Sequence, residues 1–386
     1  MKKILFAAPH LFSGFITVGA QHYALEFSNC NWDVAYISNS LSPFNVLFTK
    51  DQKNILARLN NFKRSGINIK SNLWSYVPFT FIPHHNETIF DKKWFLNNYH
   101  KFTFPPVKYL VKKRGFNKVD VLWIDCANQN FWKSILEFKC SIYRVSDDIV
   151  STSNTRSIVL DAHEKAIVSS DLVLVTSKIL LNNLNQKYKN IHFVYCPNGV
   201  DLSHFMRDKY EEPKEYENVR GEKALYIGAI EDWFDTELLK YLAHKSSDIN
   251  IFIIGPDRLG QMRNSLGKNI FYLGSKEYKQ IPNYIYHCDY GIIPFRVTKL
   301  TQCINPIKMY EFFSLGKPVL SIRLEELELL KSPCLLAKNY QEFVDIIRCK
   351  EKLYCYESSY LKNYAKQNTW EKRYLLIGAI LKSYGI

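Results

Sequence analysis

Long apolar runs are missing from this sequence. No stretch reaches the roughly 18 uninterrupted apolar residues of a transmembrane helix, so none is expected. Metal-ligand spacing is missing too. The nine cysteines form no C-x-x-C pair, and the ten histidines form no H-E-x-x-H or H-x-H pattern. Neither a zinc motif nor a disulfide framework is indicated, and an odd, scattered set of thiols suits a reducing cytoplasm. His84-His85 reads as a loop feature. Low-complexity tracts and internal repeats are absent. Acidic residues are in deficit: 37 Asp/Glu against 51 Lys/Arg leave a formal net charge of +14. That excess calls for an anionic partner such as nucleotide phosphate, a membrane surface or nucleic acid.

What is present is a chain of 386 residues, a two-domain length. Its 47% hydrophobic content supplies real cores and excludes wholesale disorder. The opening MKKILFAAPHLFSGFITVGA imitates a signal peptide, but Pro9 and His10 interrupt it. It reads as a buried strand entering a glycine-containing loop at 13–19. The charge is lopsided. Residues 1–200 carry 24 Lys/Arg against 13 Asp/Glu, and residues 201–386 carry 27 against 24. One anionic partner is therefore assigned to the first half.

Short β-branched runs alternate with helical stretches, the signature of a parallel α/β architecture covered on both faces. Strands are expected at 3–8, 32–38, 119–125, 141–145, 172–176 and 192–196, with helices at 20–28 and 157–169. After a charged segment at 208–222, read as a linker with an alternative hinge at Asn198-Gly199, the pattern restarts. Strands are expected at 223–227, 249–254, 270–273, 290–294 and 318–322, and helices at 236–245 and 307–315. A last amphipathic helix at 369–384 is capped by Asn368 or Thr369. Domain limits of 1–203 and 204–367 follow, leaving 368–386 as a last helix. Two facing doubly wound sheets make a central cleft at the carboxyl ends of their strands, where ligands bind.

The segment INPIKMYEFFSLGKPVLS at 304–321 is the richest in chemistry. Asn305-Pro306 is expected to cap and start a helix. Lys308 and Glu311, three apart, share a face of its first turn, either as a surface ion pair or as ligand groups. A helix N-terminus attracts phosphate, a lysine there adds charge, and a carboxylate one turn on accepts hydrogen bonds from ribose hydroxyls.

This segment resembles the donor motif of GT-B glycosyltransferases, N-P-x-K-x-x-E followed by G-K-P-V-V. ALYIGAIEDWFDTELL, FIIGP and FYLGSKEYKQIPNYIYHCDYGIIPF are similar to successive parts of that family's C-terminal domain. GAQHYALEF, SDLVLVTS and PNGVDLSHF are similar to parts of its N-terminal domain. The ordered matches run over about 300 residues, which makes them specific. The resemblance implies a GT-B fold of two Rossmann-like domains, with the last helix, 368–386, crossing back to the first domain. It also implies transfer of a sugar from a nucleoside-diphosphate sugar, a uridine diphosphate sugar in the first instance.

Roles carry over where positions match. Lys308 is the phosphate-binding candidate and Glu311 the ribose-binding one, with Asn305 capping first and meeting the donor second. Gly228 lies in a turn where backbone approaches the diphosphate. Glu231, in the same loop, is a donor or acceptor contact or is solvated. Phe295 stacks near the base or belongs to the core. Asp235 resembles the N-cap of the next helix.

Inverting transfer needs a base. YRVSDDIVSTS, ending a strand, resembles the region that holds the proposed base in the xanthan-type, membrane-associated glucuronosyltransferases. Asp147 is the first candidate and Asp148 the second, one of the two facing the cleft while the other caps or pairs with Arg144. His10 and His22 are weaker candidates. Teichuronic-acid-type, group 1 glycosyltransferases are similar as well. The E-x7-E pattern of many retaining enzymes would place an acid at 303, where this chain has Cys303, which favours inversion. No D-x-D is present, and neither metal nor other cofactor is expected beyond the nucleotide-sugar co-substrate.

Residues 92–118 carry eight Lys/Arg, no acid, and seven aromatics, among them Trp94, Tyr99, Phe104 and Tyr109. Alone, that composition suits an anionic membrane surface, single-stranded nucleic acid or an ordinary solvated helix pair. With the resemblance, a membrane and a glycan or lipid-linked acceptor are expected, and nucleic acid is not. The resulting expectation is a cytoplasmic enzyme, peripheral on the inner membrane face, that builds a surface polysaccharide. Its rivals are a retaining transferase, a nucleotide-sugar epimerase of the same fold and a non-enzymatic polyanion-binding protein.

Overall fold

A computed structural model describes residues 1–12, 17–48, 52–81, 92–152, 155–262 and 267–386. The expected glycine loop at 13–19 and His84-His85 therefore lie partly or wholly outside the described residues. The chain divides into two compact units. The first comprises Met1–Thr176, Leu181–Cys196 and Tyr374–Ile386; the second comprises Ser177–Leu180 and Pro197–Arg373.

The first unit is built on eight strands: β1 (Lys3–Ala8), β2 (Asp33–Ser38), β3 (Ile67–Lys70), β4 (Leu73–Tyr76), β5 (Lys118–Ile124), β6 (Glu137–Val145), β7 (Leu172–Val175) and β8 (Phe193–Tyr195). Their order is β3-β4-β2-β1-β5-β6-β7-β8, parallel except for the β3–β4 pair. Strands such as β1, KILFAA, are buried along nearly their whole length, as a doubly covered parallel sheet requires. The β3–β4 hairpin escapes sequence reading because LWSY is short, buried at every position and without alternation. Buried Asn61 braces the end of β4: its amide donates to the Ser75 carbonyl and accepts from the Val77 N–H.

The second unit has six parallel strands: β9 (Glu222–Ile227), β10 (Ile249–Ile254), β11 (Ile270–Tyr272), β12 (Tyr290–Ile293), β13 (Val319–Ile322) and β14 (Leu335–Ala337). The order is β11-β10-β9-β12-β13-β14, that of a doubly wound Rossmann sheet. β14, three residues long, is too short to signal itself.

The helices at Ser157–Ser169, Thr236–Lys245 and Ile307–Ser314 lie where periodicity predicts them. The last helix, Trp370–Leu381, is capped by Thr369, whose hydroxyl accepts from the Lys372 N–H. Its residues from Tyr374 onward belong to the first unit, where the Tyr374 ring meets Phe27 edge-on.

The charged segment 208–222 is not a linker. Tyr216 is fully buried against Phe252 and Tyr284, and Glu215 pairs with Lys276. Charge density misled because one of its two aromatics, Tyr216, anchors the segment in the core. All nine cysteines are free. Among the described residues no helix is long and apolar enough to cross a membrane.

Candidate functional site

In the second unit the strand order reverses between β9 and β12, and the loops that follow these two strands meet there. The Asp235 N–H donates to the Pro294 carbonyl, and the Arg296 N–H to that of Trp233. Phe234 and Phe295 form a bridge, and the Tyr226 ring lies 6.5 Å from that of Phe295, edge-on. Phe295 is half-buried against the core clusters on both sides. Gly228 opens the first loop. A Cβ there would fall 2.5 Å from the Tyr226 hydroxyl, and one at Gly255 would fall 1.8 Å from the Gly228 carbonyl. A side chain at Gly228 would displace the Tyr226 hydroxyl, and one at Gly255 would force apart the loops after β9 and β10. Glu231 is not simply solvated: its carboxylate pairs with Arg258 at 2.6 Å. Burial raises the Glu231 carboxyl, against Arg258. Asp235 caps the helix Thr236–Lys245 through the N–H groups of Glu237 and Leu238, as its position implies.

The helix Ile307–Ser314 carries the strongest constellation. Its N-cap is Pro306, with no side-chain cap. Asn305 therefore does not cap it. Lying one residue too early, buried Asn305 instead donates its amide to the Tyr310 hydroxyl, and its carbonyl accepts from the Asn198 side chain. Among the described residues no side chain caps the first-turn N–H groups, which suits an anionic ligand. Lys308 Nζ lies 3.0 and 2.8 Å from the two oxygens of Glu311. The pair is unequal: the lysine side chain is 27% accessible and the glutamate 2%. Burial raises the Glu311 carboxyl, Lys308 opposes the rise, and Asp201 adds to it.

The sequence reading missed the residues that frame this pair. Lys308 Nζ stands 5.9 Å from the centre of the Tyr278 ring. Tyr278 stacks face to face on His204 at 3.9 Å. Asp201 caps the short helix Leu202–Phe205 through the His204 N–H. The motif PNGVDLSHF contains both Asp201 and His204, so it was the signal available; its spacing alone does not reveal that it reaches Lys308.

In the first unit, β6 ends at Ser146-Asp147-Asp148. The Ser146 hydroxyl donates to Asp147 at 3.0 Å. Asp147 keeps an exposed face. Desolvation nonetheless raises its carboxyl, with Ser146 and Arg144 opposing and Asp125 reinforcing. Asp148 turns away to cap the short helix Ile149–Ser151 through the Ser151 N–H. Arg144 pairs with neither of them. It is buried beside Asp125 at 3.2 Å, with the two side chains only 4% and 5% accessible. The register explains the choice: Ile124 lies opposite Tyr143, so Asp125 at the end of β5 faces Arg144. His22 is buried in the helix Gly19–Asn29, and the His10 carbonyl accepts from the Ser38 hydroxyl.

The basic stretch 92–118 forms the helices Lys93–Asn98 and Val107–Lys113 with a 3-10 turn, Tyr99–Phe102. Tyr99, Val107, Leu110 and Phe116 are buried, whereas Trp94, Phe104 and Tyr109 are each about 60% exposed among surface lysines. Lys93 pairs with Asp161. Among the described residues no group of three or more His, Cys, Asp or Glu is arranged to hold a metal ion.

No protein-family profile matches the chain. A curated protein of Bacillus subtilis (strain 168), provisionally named as the teichuronic acid biosynthesis glycosyltransferase TuaH, is 25% identical over 189 residues. That alignment spans 46% of this chain and 47% of TuaH, about half the length of the curated relative. Sucrose-phosphate synthase from Thermosynechococcus elongatus superimposes with a TM-score of 0.71 at 13% identity, over 99% of each chain. The fold is GT-B.

HepE from Anabaena, solved with UDP and glucose, has the same fold, with a TM-score of 0.67 and 14% identity over 99% of this chain and all of that one. In this GT-B chain the candidates form two sets. Lys308 and Glu311 stand together on one helix, and Gly228, Glu231 and Phe295 stand together on the loops of the Rossmann reversal. Asn305 precedes the helix as a structural residue. Asp147 and Asp148 adjoin in the first unit, Asp148 as a helix cap and Asp147 with an exposed face.

Proposed function

We propose that this protein is a glycosyltransferase that moves a sugar from a nucleoside-diphosphate sugar, a uridine diphosphate sugar, to a glycan or lipid-linked acceptor in surface polysaccharide synthesis. The observation that carries this reading is the unequal Lys308–Glu311 pair at an uncapped helix N-terminus. The accessible ammonium and the free N–H groups suit a diphosphate. The buried carboxylate, once released by Lys308, suits the ribose hydroxyls. The developing charge on the leaving diphosphate is then met by helix N–H groups and Lys308 rather than by a metal. The TuaH match and the UDP and glucose bound by HepE support the donor class.

Asp147 is the base that takes the acceptor hydroxyl proton, giving inversion. Its raised carboxyl is a stronger base than an ordinary aspartate, whereas Asp148 is committed to its cap. Asp147→Asn is expected to lower turnover by about 10²–10⁴-fold with donor affinity unchanged. Near-normal turnover removes it as base. The acid limb of the rate profile should lie above the usual aspartate range, since activity requires the ionised form.

The donor reading is tested by titrating the full chain with UDP and UDP-glucose in a thermal-shift assay: a saturable rise is expected, and its absence across a nucleotide-sugar panel refutes the reading. Incubation with nucleotide sugar alone separates a transferase from an epimerase. The exposed aromatics and lysines of 92–118 support peripheral binding to an anionic membrane. The protein should sediment with phosphatidylglycerol vesicles at low salt and be released at high salt.

A further inference from the structure

A hollow lies in the second unit, away from Lys308. It occupies about 450 Å³ at the other end of the helix Ile307–Ser314, with Ser314 and Leu315 in its wall. Along the helix axis that is ~10 Å from Lys308. Its volume is in the range of small-ligand sites. Met206 and Tyr286 supply an apolar side and are 43% and 46% exposed. Tyr286 is held by face-to-face stacking on Tyr210 at 4.1 Å, and Tyr210 is itself fixed by donating its hydroxyl to the Phe205 carbonyl. The wall is therefore a rigid aromatic surface rather than a loose side chain.

The polar side is cationic. Arg207, Lys209 and Lys362 line the hollow, and Lys317 reaches over the Tyr286 ring at 5.8 Å. None of the four is in an ion pair among the described residues. Asp208 is the acid in the lining. The helix C-terminus attracts a cation by its dipole, which accounts for one such residue but not for three lining one hollow with a fourth, Lys317, over its exposed tyrosine.

We infer that this hollow binds an anionic saccharide, a pyranose bearing a carboxylate or phosphate. The C–H face of the ring covers Met206 and Tyr286, and the anionic group meets Arg207, Lys209 and Lys362. The site is separate from the donor pair, so it stands or falls independently of the reading given above.

The test is calorimetric titration of the full chain with a tetragalacturonate and, separately, with glucose 1-phosphate; maltotetraose and inorganic phosphate serve as controls for ring and for charge alone. Binding of either anionic sugar, with neither control binding comparably, is expected. The two anionic arms decide between carboxylate and phosphate. Tyr286→Ala and the double variant Lys209→Glu/Lys362→Glu should each weaken that binding by about tenfold or more, while the UDP response and Lys308→Ala leave it unchanged. The inference is overturned if neither anionic sugar binds, if a control binds equally, if both folded variants bind as the parent does, if UDP competes, or if the same variants instead abolish vesicle binding.

Discussion

Each unit has a cation–carboxylate pair near the carboxyl end of its sheet, and the two pairs differ in which partner is buried. Arg144–Asp125 in the first unit has both partners almost wholly excluded from solvent. The guanidinium is also wedged under Gly19, where a Cβ would stand 2.5 Å from it, and 5.8 Å from the Tyr23 ring. Nothing there is free to exchange. Lys308–Glu311 in the second unit buries only the acid and leaves the ammonium accessible. A pair buried on one side can trade its cation's partner for a ligand; a pair buried on both sides holds architecture. Under the proposed function, burial of the cation, rather than pairing itself, is what separates a ligand-binding pair from an architectural one.

The sharpest way to break this contrast is Arg144→Leu. It leaves Asp125 buried without its cation and should cost about 3–5 kcal/mol in urea denaturation. If it costs no more than Lys308→Ala, the contrast fails. Lys308→Ala should instead weaken UDP binding by about 10–100-fold, read by calorimetry, with a stability loss below about 2 kcal/mol because Glu311 takes up a proton.

A smaller effect concerns Glu326, buried in the second unit, which accepts the Lys178 and Ile179 N–H groups at 2.7 and 3.1 Å. Burial lifts its carboxyl to about 7, with those N–H groups, Lys178 and Asn305 opposing. A raised acid binds more protons folded than unfolded, so its contribution favours the fold below about pH 4.5 and is lost as pH climbs to about 7. Glu326→Gln should flatten the fall in Tm between pH 5 and pH 8, a change worth about 1–2 kcal/mol. An unchanged slope means Glu326 is ionised throughout.

Much of this was legible before any coordinates. The eleven expected strands recur in the sheets, and the three-residue spacing of Lys308 and Glu311 placed them on one helical face. The missed elements were β3, β4 and β14, each only three or four residues long, too short for a pattern to emerge. Asn305 looked like a cap because Asn-Pro before an apolar run is the usual signal, yet Pro306 takes the cap position itself. Arg144 looked like a partner for its chain neighbours Asp147 and Asp148, and the segment 208–222 looked like a linker because its charges far outnumber its two tyrosines, Tyr210 and the buried Tyr216.

The sequence by itself determined what is written within a few residues: the alternation that makes a doubly wound α/β chain, the helix carrying Lys308 and Glu311, and the excess of positive charge. Only the tertiary structure decided which charge answers which. Parallel pairing of β5 with β6 sets Asp125 beside Arg144, and folding of the second unit sets Tyr278 and His204 beside Lys308. Periodicity is a local property of the backbone, whereas a partner and its access to water depend on strands and loops brought together from distant parts of the chain.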